Sequence, residues 1–414
     1  MRAFLLFCLL PLSAWAGVIR VENGRTIRQA VEMAQPGDSI LIAKGVYREG
    51  NLIIKKPLTL VGIDYPVLDG ENKYEILTIT GPDVTITGLK FINTGTASIE
   101  DIAAIKALDV THLRVIRNKF ENAFFGIYFA NSNNSWVQEN ILLSEGKSDS
   151  QTGNGIHMWK CDHMTIEKNE IHGHRDGIYF EFVTKSRVAE NFSHENQRYG
   201  LHFMFSHDDE YESNIFRNNG AGVAVMYSNG VKMKGNHFEE NSGNSSYGLL
   251  LKDIADSHIG DNIFRNNSIG IYMEGCSRGE FVHNTFSGNG WALRVQASCD
   301  ANTFTRNGFF ANSFDVATNG SISLNDIHHN YWDKYEGYDL NKDGVGDIPF
   351  RPVSLYGMVV EKMPISIVLW RSILVLLLDR TEKILPAVTP ENLVDKTPLM
   401  KFDKTKSDLI TETP

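Results

Sequence analysis

Basic charge is in short supply in this chain. Its 414 residues hold 40 Lys and Arg against 50 Asp and Glu, a formal net charge of −10. No basic patch stands out, so nucleic acid is a poor partner. Long apolar runs are equally few. Beyond the first sixteen residues the strongest, Ile365 to Leu378, covers only 14 residues and is interrupted by Arg371, which is short for a membrane span. Dense acid–base clusters are scarce as well. HDDE, His207 to Glu210, stands alone, with Arg198 and Arg217 nearby. A polysaccharide lyase or epimerase gathers acid, base and charge-neutralising groups in one place. Their scarcity argues for a chain without turnover, and no catalytic residue is assigned.

What the sequence does contain is a repeat. GIHMWK, GIYFEF, GLHFMF and GVAVMY open on Gly155, Gly177, Gly200 and Gly222, at steps of 22, 23 and 22 residues. A fixed period of this length marks a solenoid, in which each coil buries its apolar face against its neighbours. Side chains alternate along a strand. Ile156, Met158, Ile178, Phe180, Leu201, Phe203, Val223 and Val225 therefore form an apolar inner face. His157, Trp159, Tyr179, Glu181, His202, Met204, Ala224 and Met226 form the outer one. A second repeat places an Asn two residues before an apolar residue, from Asn118/Phe120 through Asn284/Phe286, Asn302/Phe304 and Asn325/Ile327. Stacked asparagines at a coil corner can hydrogen-bond along a ladder and tolerate turn dihedrals. Steps of 29 (Asn140 to Asn169) and 26 (Asn236 to Asn262) mark insertions. In repeat arrays these often sit on the binding face. Parallel crossovers are right-handed, so the predicted fold is all-β, a right-handed single-stranded parallel β-helix with coils of about 22 residues.

Residues 1–16 read as a signal peptide: Arg2, then apolar Phe4 to Leu12, then the small-x-small site Ala14-Trp15-Ala16. The mature chain would begin at Gly17, in a periplasm or outside the cell. Residues 17–80 form an N-terminal cap and the first coils, with a short amphipathic helix at Ile27 to Ala34. Regular coils follow at 81–332, an Asp- and Gly-rich loop at 333–352, and a helical and extended C-terminal tail at 353–414. Cys161 and Cys276 occupy the same coil position five copies apart, about 24 Å at the spacing of parallel strands, beyond the reach of a disulfide. Cys276 and Cys299 lie one coil apart and could pair or remain buried thiols.

The export signal, the Asn-x-Phe and Gly-(Ile/Leu) coils, and the stretch NYWDKYEGYDLNKDGVGDIPF from Asn330 to Phe350 resemble the NosD family. The tail segments PISIVLWRSILVLLLDR and LPAVTPE narrow the likeness. That family falls within a wider group of right-handed β-helices of carbohydrate-binding proteins and sugar hydrolases. The likeness spans essentially the whole mature chain. It implies a periplasmic, metallochaperone-like protein that handles copper for nitrous oxide reductase maturation. It further implies a membrane ABC transporter as partner, and nitrous oxide reductase or a copper chaperone as donor or recipient. The alternative is a lyase- or epimerase-like enzyme or a sugar-binding solenoid, because the same fold hosts them.

Register supplies candidate ligands. His202 and Met204 face outward two residues apart, about 6.6 Å, and Met204 and Met226 share a column about 4.8 Å apart. Thioether with imidazole suits Cu(I). Trp159 and Glu181 belong to the same column, and His157 lies two coils from His202. His172, His174 and His194 in the adjoining turns are a second-tier set, while His163, His237 and His258 read as surface residues. Asp339, Asn341, Asp343 and Asp347 resemble the start of a calcium loop. The loop is too short for an EF-hand and lacks its closing Glu. The apolar segment from Pro364 to about Leu399 is expected to dock on the transporter, and residues 403–414 are expected to be disordered.

Overall fold

The computed structural model describes residues 17–402 other than 23, 98–99, 146–151, 244–245, 321–323, 371 and 385–392. The expected leader and the last twelve residues lie outside the described residues. Among the described residues, three parallel sheets of 14, 13 and 12 strands run the length of the solenoid. Sheet I extends from Val18–Val21 to Leu324–His328, sheet II from Val46–Tyr47 to Tyr331–Trp332, and sheet III from Leu52–Ile54 to Phe314–Ala317. One coil takes one short strand from each. Ile156–Trp159 lies in sheet III, Thr165–Glu167 in sheet I and Glu170–His172 in sheet II, and Asp176–Glu181 then returns to sheet III one rung on. This is the predicted right-handed parallel β-helix.

The period glycines have a steric cause. A Cβ on Gly155, Gly177 or Gly200 would stand 2.7, 2.6 or 2.8 Å from the carbonyl oxygen of the glycine one coil on. Backbones approach too closely there for any side chain. The inner face is as read: all eight of its residues from Ile156 to Val225 are buried. Along another wall Phe216, Phe238, Phe264, Phe286, Phe309 and Trp332 stack with ring centroids 4.0 to 5.6 Å apart.

The asparagine ladder exists, with one correction. Each Oδ1 accepts the backbone N–H and the Nδ2 of the preceding coil's asparagine, as Asn169 does from Asn140, both at 3.0 Å. The ladder includes Asn191, whose partner two residues on is Ser193, and it continues from Asn284 through Asn307 to Asn330. Asn302 and Asn325 belong to a separate stack in sheet I, where Gly279 donates to Asn302 and Asn302 to Asn325. The turn, and not the following apolar residue, defines the ladder position. A parallel ladder that the sequence reading missed runs through Asn196, Asn219, Asn241, Asn267, Asn289 and Asn312.

Both ends are closed. Helix α1, Ile27–Met33, carries a Thr26/Gln29 capping box and buries Ile27, Ala30 and Val31 against the first coil. The C-terminal segment has two parts with separate roles. Helix α2 (Leu355–Lys362), a 3-10 turn (Pro364–Leu369) and helix α3 (Ile373–Ile384) pack Tyr356, Val360 and Val375 against Phe314 and Trp291 on the last strands of sheet III. Glu361 pairs with Arg294 of the neighbouring strand. The apolar run is thus two short helical pieces, because the backbone turns extended at Trp370 (φ −50°, ψ 130°). Residues 393–402 then cover the final coil: Leu393 and Asp395 are buried, Leu399 bridges Tyr331 and Val345, and Phe402 packs on Phe310 and Tyr331.

Candidate functional site

The outer face of sheet III holds the first set of predicted ligands in two columns. His157, Tyr179 and His202 pair rung to rung in one. Trp159, Glu181, Met204 and Met226 pair in the other. Met204 and Met226 are partly exposed neighbours, as the register required. The first column is an aromatic ladder. His157 stacks between Tyr128 and Tyr179, at 4.8 Å on each side, and Tyr179 meets His202 edge-on at 5.1 Å.

Facing outward does not leave these imidazoles open to solvent. His202 is only 7 % exposed, and neither ring nitrogen has a hydrogen-bond partner. His157 Nδ1 accepts from the Asn154 amide at 3.0 Å. Its pKa is pushed down to about 3, chiefly by burial and then by the Arg175 guanidinium. Strand parity predicts direction, whereas cover comes from the rings packed on these imidazoles, Tyr128 and Tyr179 on His157 and Tyr179 and Tyr199 on His202. The Trp159 ring carries Lys160 Nζ over it at 4.2 Å and packs beside Phe125 and Tyr128.

Behind the ladder lies a buried ion pair that the sequence reading missed. Asp176 is fully buried, and the Arg198 guanidinium grips it with Nε at 3.0 Å and Nη2 at 2.6 Å. Burial by itself would raise this carboxyl, but His202 and Arg198 outweigh it and hold the pKa below its ordinary value. His202 Nδ1 stands 3.9 Å from Asp176 Oδ2, past hydrogen-bond range. The available signal was an acid immediately before a period glycine, Asp176-Gly177, one coil from Arg198. Tyr179 donates to Glu181 at 3.4 Å, and its pKa is raised to about 12 by burial and then by the Glu181 charge.

The second-tier histidines sit elsewhere. His172 and His194 pair in sheet II with ring centroids 5.0 Å apart, flanked by Glu195 and Glu170. His174 follows the turn at Gly173 and is wholly buried, with both nitrogens unpartnered. Its pKa falls to about 3, through burial first and His172 second. Among the described residues no group of three or more His, Cys, Asp or Glu is placed to hold a metal ion, so neither histidine set forms a closed cage by itself. The Asp339 loop spends its carboxylates on its own backbone. Asp339 accepts from the N–H groups of Lys342, Asp343 and Gly344, and Asp347 from that of Leu340. Nothing in that arrangement supports calcium.

HDDE does not converge on a cleft. Asp209 points inward to the Ser186 amide at 2.8 Å, Glu210 points outward to Lys232 at 2.8 Å, and His207 accepts from the Asn229 amide. The remaining exposed feature is the C-terminal helical surface, where Ile365, Val368 and Ile373 are each 77 % exposed. Among the described residues no helix is long and apolar enough to cross a membrane.

Fold and outer face together define a right-handed parallel β-helix that displays paired thioethers and buried imidazoles. Solved structures share that architecture at low identity. They include a mannuronan C-5 epimerase module of Azotobacter vinelandii (TM-score 0.51, 10% identical, 72% of this chain and 92% of that one). A surface adhesin of Streptococcus pneumoniae also matches (0.55, 12%, 74% and 87%), as does an α-1,3-glucanase catalytic domain (0.57, 11%, 77% and 69%). At such identities the likeness is one of fold alone. The family model described as "Periplasmic copper-binding protein (NosD)" matches residues 143–342. Two curated relatives carry the name "Probable ABC transporter binding protein NosD". The Pseudomonas aeruginosa protein is 29% identical over 397 residues, covering 87% of this chain and 88% of its own. The Stutzerimonas stutzeri protein is 26% identical over 384 residues, covering 88% and 87%. The chain is thus similar to the NosD family, whose model is described as periplasmic and copper-binding and whose two curated relatives are named as ABC transporter binding proteins.

Proposed function

We propose that this protein takes up Cu(I) as cargo on the outer face of sheet III and passes it on for maturation of nitrous oxide reductase, without turnover of its own. The observation that carries this reading is the register of Met204 with Met226, beside an imidazole at His202 whose two nitrogens lack hydrogen-bond partners. Two thioethers and an imidazole form a soft donor set that favours Cu(I) over harder divalent ions. Glu181 and His157 lie in the adjoining rungs. Met204 and Met226 keep this set partly exposed to solvent, the side from which a copper chaperone or the reductase would exchange the ion. His172, His174 and His194 are not brought to it and are left out.

The expected result is that Met204→Ala with Met226→Ala weakens Cu(I) binding by more than about tenfold with an unchanged melt, because neither side chain fills the core. Cu(I) competition titration against a chromogenic chelator reads this. Unchanged affinity would move the cargo site off this face. Cleavage or epimerisation of an acidic polysaccharide by copper-free protein would favour the enzyme alternative instead.

The partner surface in this reading is the apolar face of α2, the 3-10 turn and α3, offered to an ABC transporter at the membrane. Exposed patches of this kind mark interfaces. Truncation near Met363 would remove the coil-closing residues 393–402 along with the helices, so point substitutions are the cleaner test. Val368→Glu with Ile373→Glu is expected to abolish co-purification with the transporter while leaving the melting temperature and Cu(I) affinity intact. Retained co-purification would place the contact elsewhere.

A further inference from the structure

We infer that Cys276 and Cys299 are joined by a disulfide across consecutive coils in the exported protein. Both follow the same turn and point into the core, at 1 % and 2 % exposure. The residues after them, Ser277 and Asp300, form a parallel bridge, and the Asp300 N–H donates to the Cys276 carbonyl at 3.1 Å. The two cysteines are therefore rung-to-rung neighbours. Parallel strands place such neighbours about 4.8 Å apart, inside the Cα–Cα window of roughly 4.4–6.8 Å in which disulfides form.

The two thiols act on each other: Cys276 is pushed up and Cys299 down, in each case chiefly by the other cysteine. The Cys276 thiol has its other contacts to the Leu251 and Glu274 carbonyls, both at 3.4 Å. Cys161 is the internal contrast. Its rung neighbours are Ser132 and Val183, and its thiol turns to the Trp159 carbonyl at 3.4 Å. The description of the family as periplasmic supplies the oxidising surroundings in which disulfides persist.

The bond forms by thiol–disulfide exchange with the disulfide of a thiol-oxidising protein. One thiolate attacks, a mixed disulfide forms, and the second thiolate displaces the partner. One S–S bond is made in the chain and one is broken in the oxidant, which leaves as a dithiol with the two electrons and two protons. Because both sulfurs end up buried, the exchange precedes closure of the last coils. The link ties two coils next to the C-terminal closure, where a stack has neighbours on one side only. It does not depend on the copper reading.

The test is made on the full chain exported to a bacterial periplasm and purified with a metal chelator, so that copper does not oxidise the thiols. After denaturation without reductant and alkylation, of these three cysteines only Cys161 is expected to carry the alkyl group. Peptide mapping should return a linked pair containing Cys276 and Cys299, two hydrogens lighter than the free peptides. Refolding after reduction should lower the melting temperature by roughly 5 °C. Cys276→Ser with Cys299→Ser should sit at that lower value and ignore reductant. Alkylation of all three cysteines, or a link involving Cys161, would overturn the inference.

Discussion

Asp395→Ala is expected to destabilise the protein by about 3–5 kcal/mol. Asp395 closes the main asparagine ladder from 65 residues away. Every earlier asparagine hands its donors to the next coil, but Asn330 has no next coil. Asp395 Oδ2 accepts instead from the Asn330 backbone at 2.9 Å, the Asn330 amide at 3.2 Å and the Trp332 indole at 3.0 Å. Its other oxygen takes the Thr397 N–H at 3.0 Å. The carboxylate and Asn330 are both fully buried, so water does not substitute for it. Removing it takes the acceptor from four donors. The Asn330 side-chain amide keeps the Phe304 and His328 carbonyls. The Asn330 N–H and the Trp332 indole in the core are stranded, each worth about 1–3 kcal/mol when left unsatisfied, and the segment that covers Trp332 is freed. Urea denaturation followed by circular dichroism measures the loss. Asp395→Asn keeps an acceptor in place and should lose much less. A loss below about 1 kcal/mol for the alanine variant would show that the ladder end is satisfied by water and that the segment is no structural cap.

That closure marks where reading the sequence stopped working. The solenoid itself was legible, because sterics at Gly155, Gly177 and Gly200 impose the period and strand parity sorts inner from outer side chains. Helix α1 was legible because Thr26, Gln29 and the spacing of Ile27, Ala30 and Val31 are local signals. The swap of Asn302 and Asn325 for Asn307 and Asn330 shows the limit of a local motif, since an asparagine followed by an apolar residue occurs in two different turns of one coil. The role of Asp395 was not legible at all. Nothing near it in sequence says that it meets Asn330, and its neighbourhood reads as a Pro-punctuated tail. The outer face was half legible. Parity placed His157, His202, Met204 and Met226 together, but it does not show that Tyr179 and Tyr199 pack on His202 or that Asp176 pairs with Arg198 beside it. In the same way the apolar C-terminal run announced an unusual surface, while its division at Trp370 did not show.

Acid should unfold the copper-free protein early, and His174 is expected to be a principal cause. Its folded pKa of about 3 lies below the value near 6.5 of a histidine in the unfolded chain. Between those two values the unfolded chain holds the proton and the folded one does not. The neutral ring therefore contributes stability that is fully present above pH 6.5 and is lost as the pH falls toward 3. Each unit of that gap is worth about 1.4 kcal/mol, so roughly 4–5 kcal/mol is at stake by pH 3. His157, likewise depressed to about 3 by burial, acts in the same direction. Asp315 opposes them over part of the window. Burial raises its carboxyl to about 6 despite Lys334, so protonation between pH 6 and the ordinary aspartate value favours the folded chain. A difference measurement separates these effects. His174 makes no side-chain hydrogen bond, so His174→Leu should be nearly neutral at pH 7, where a buried polar group without partners gives way to an apolar one of similar size. In urea titrations at pH 7, 5 and 4 the wild type should lose stability faster than His174→Leu, with a gap near 3 kcal/mol by pH 4. Parallel pH slopes for the two proteins would mean that His174 already carries a proton, or a bound water, inside the coil, and that its burial does not govern the acid limit.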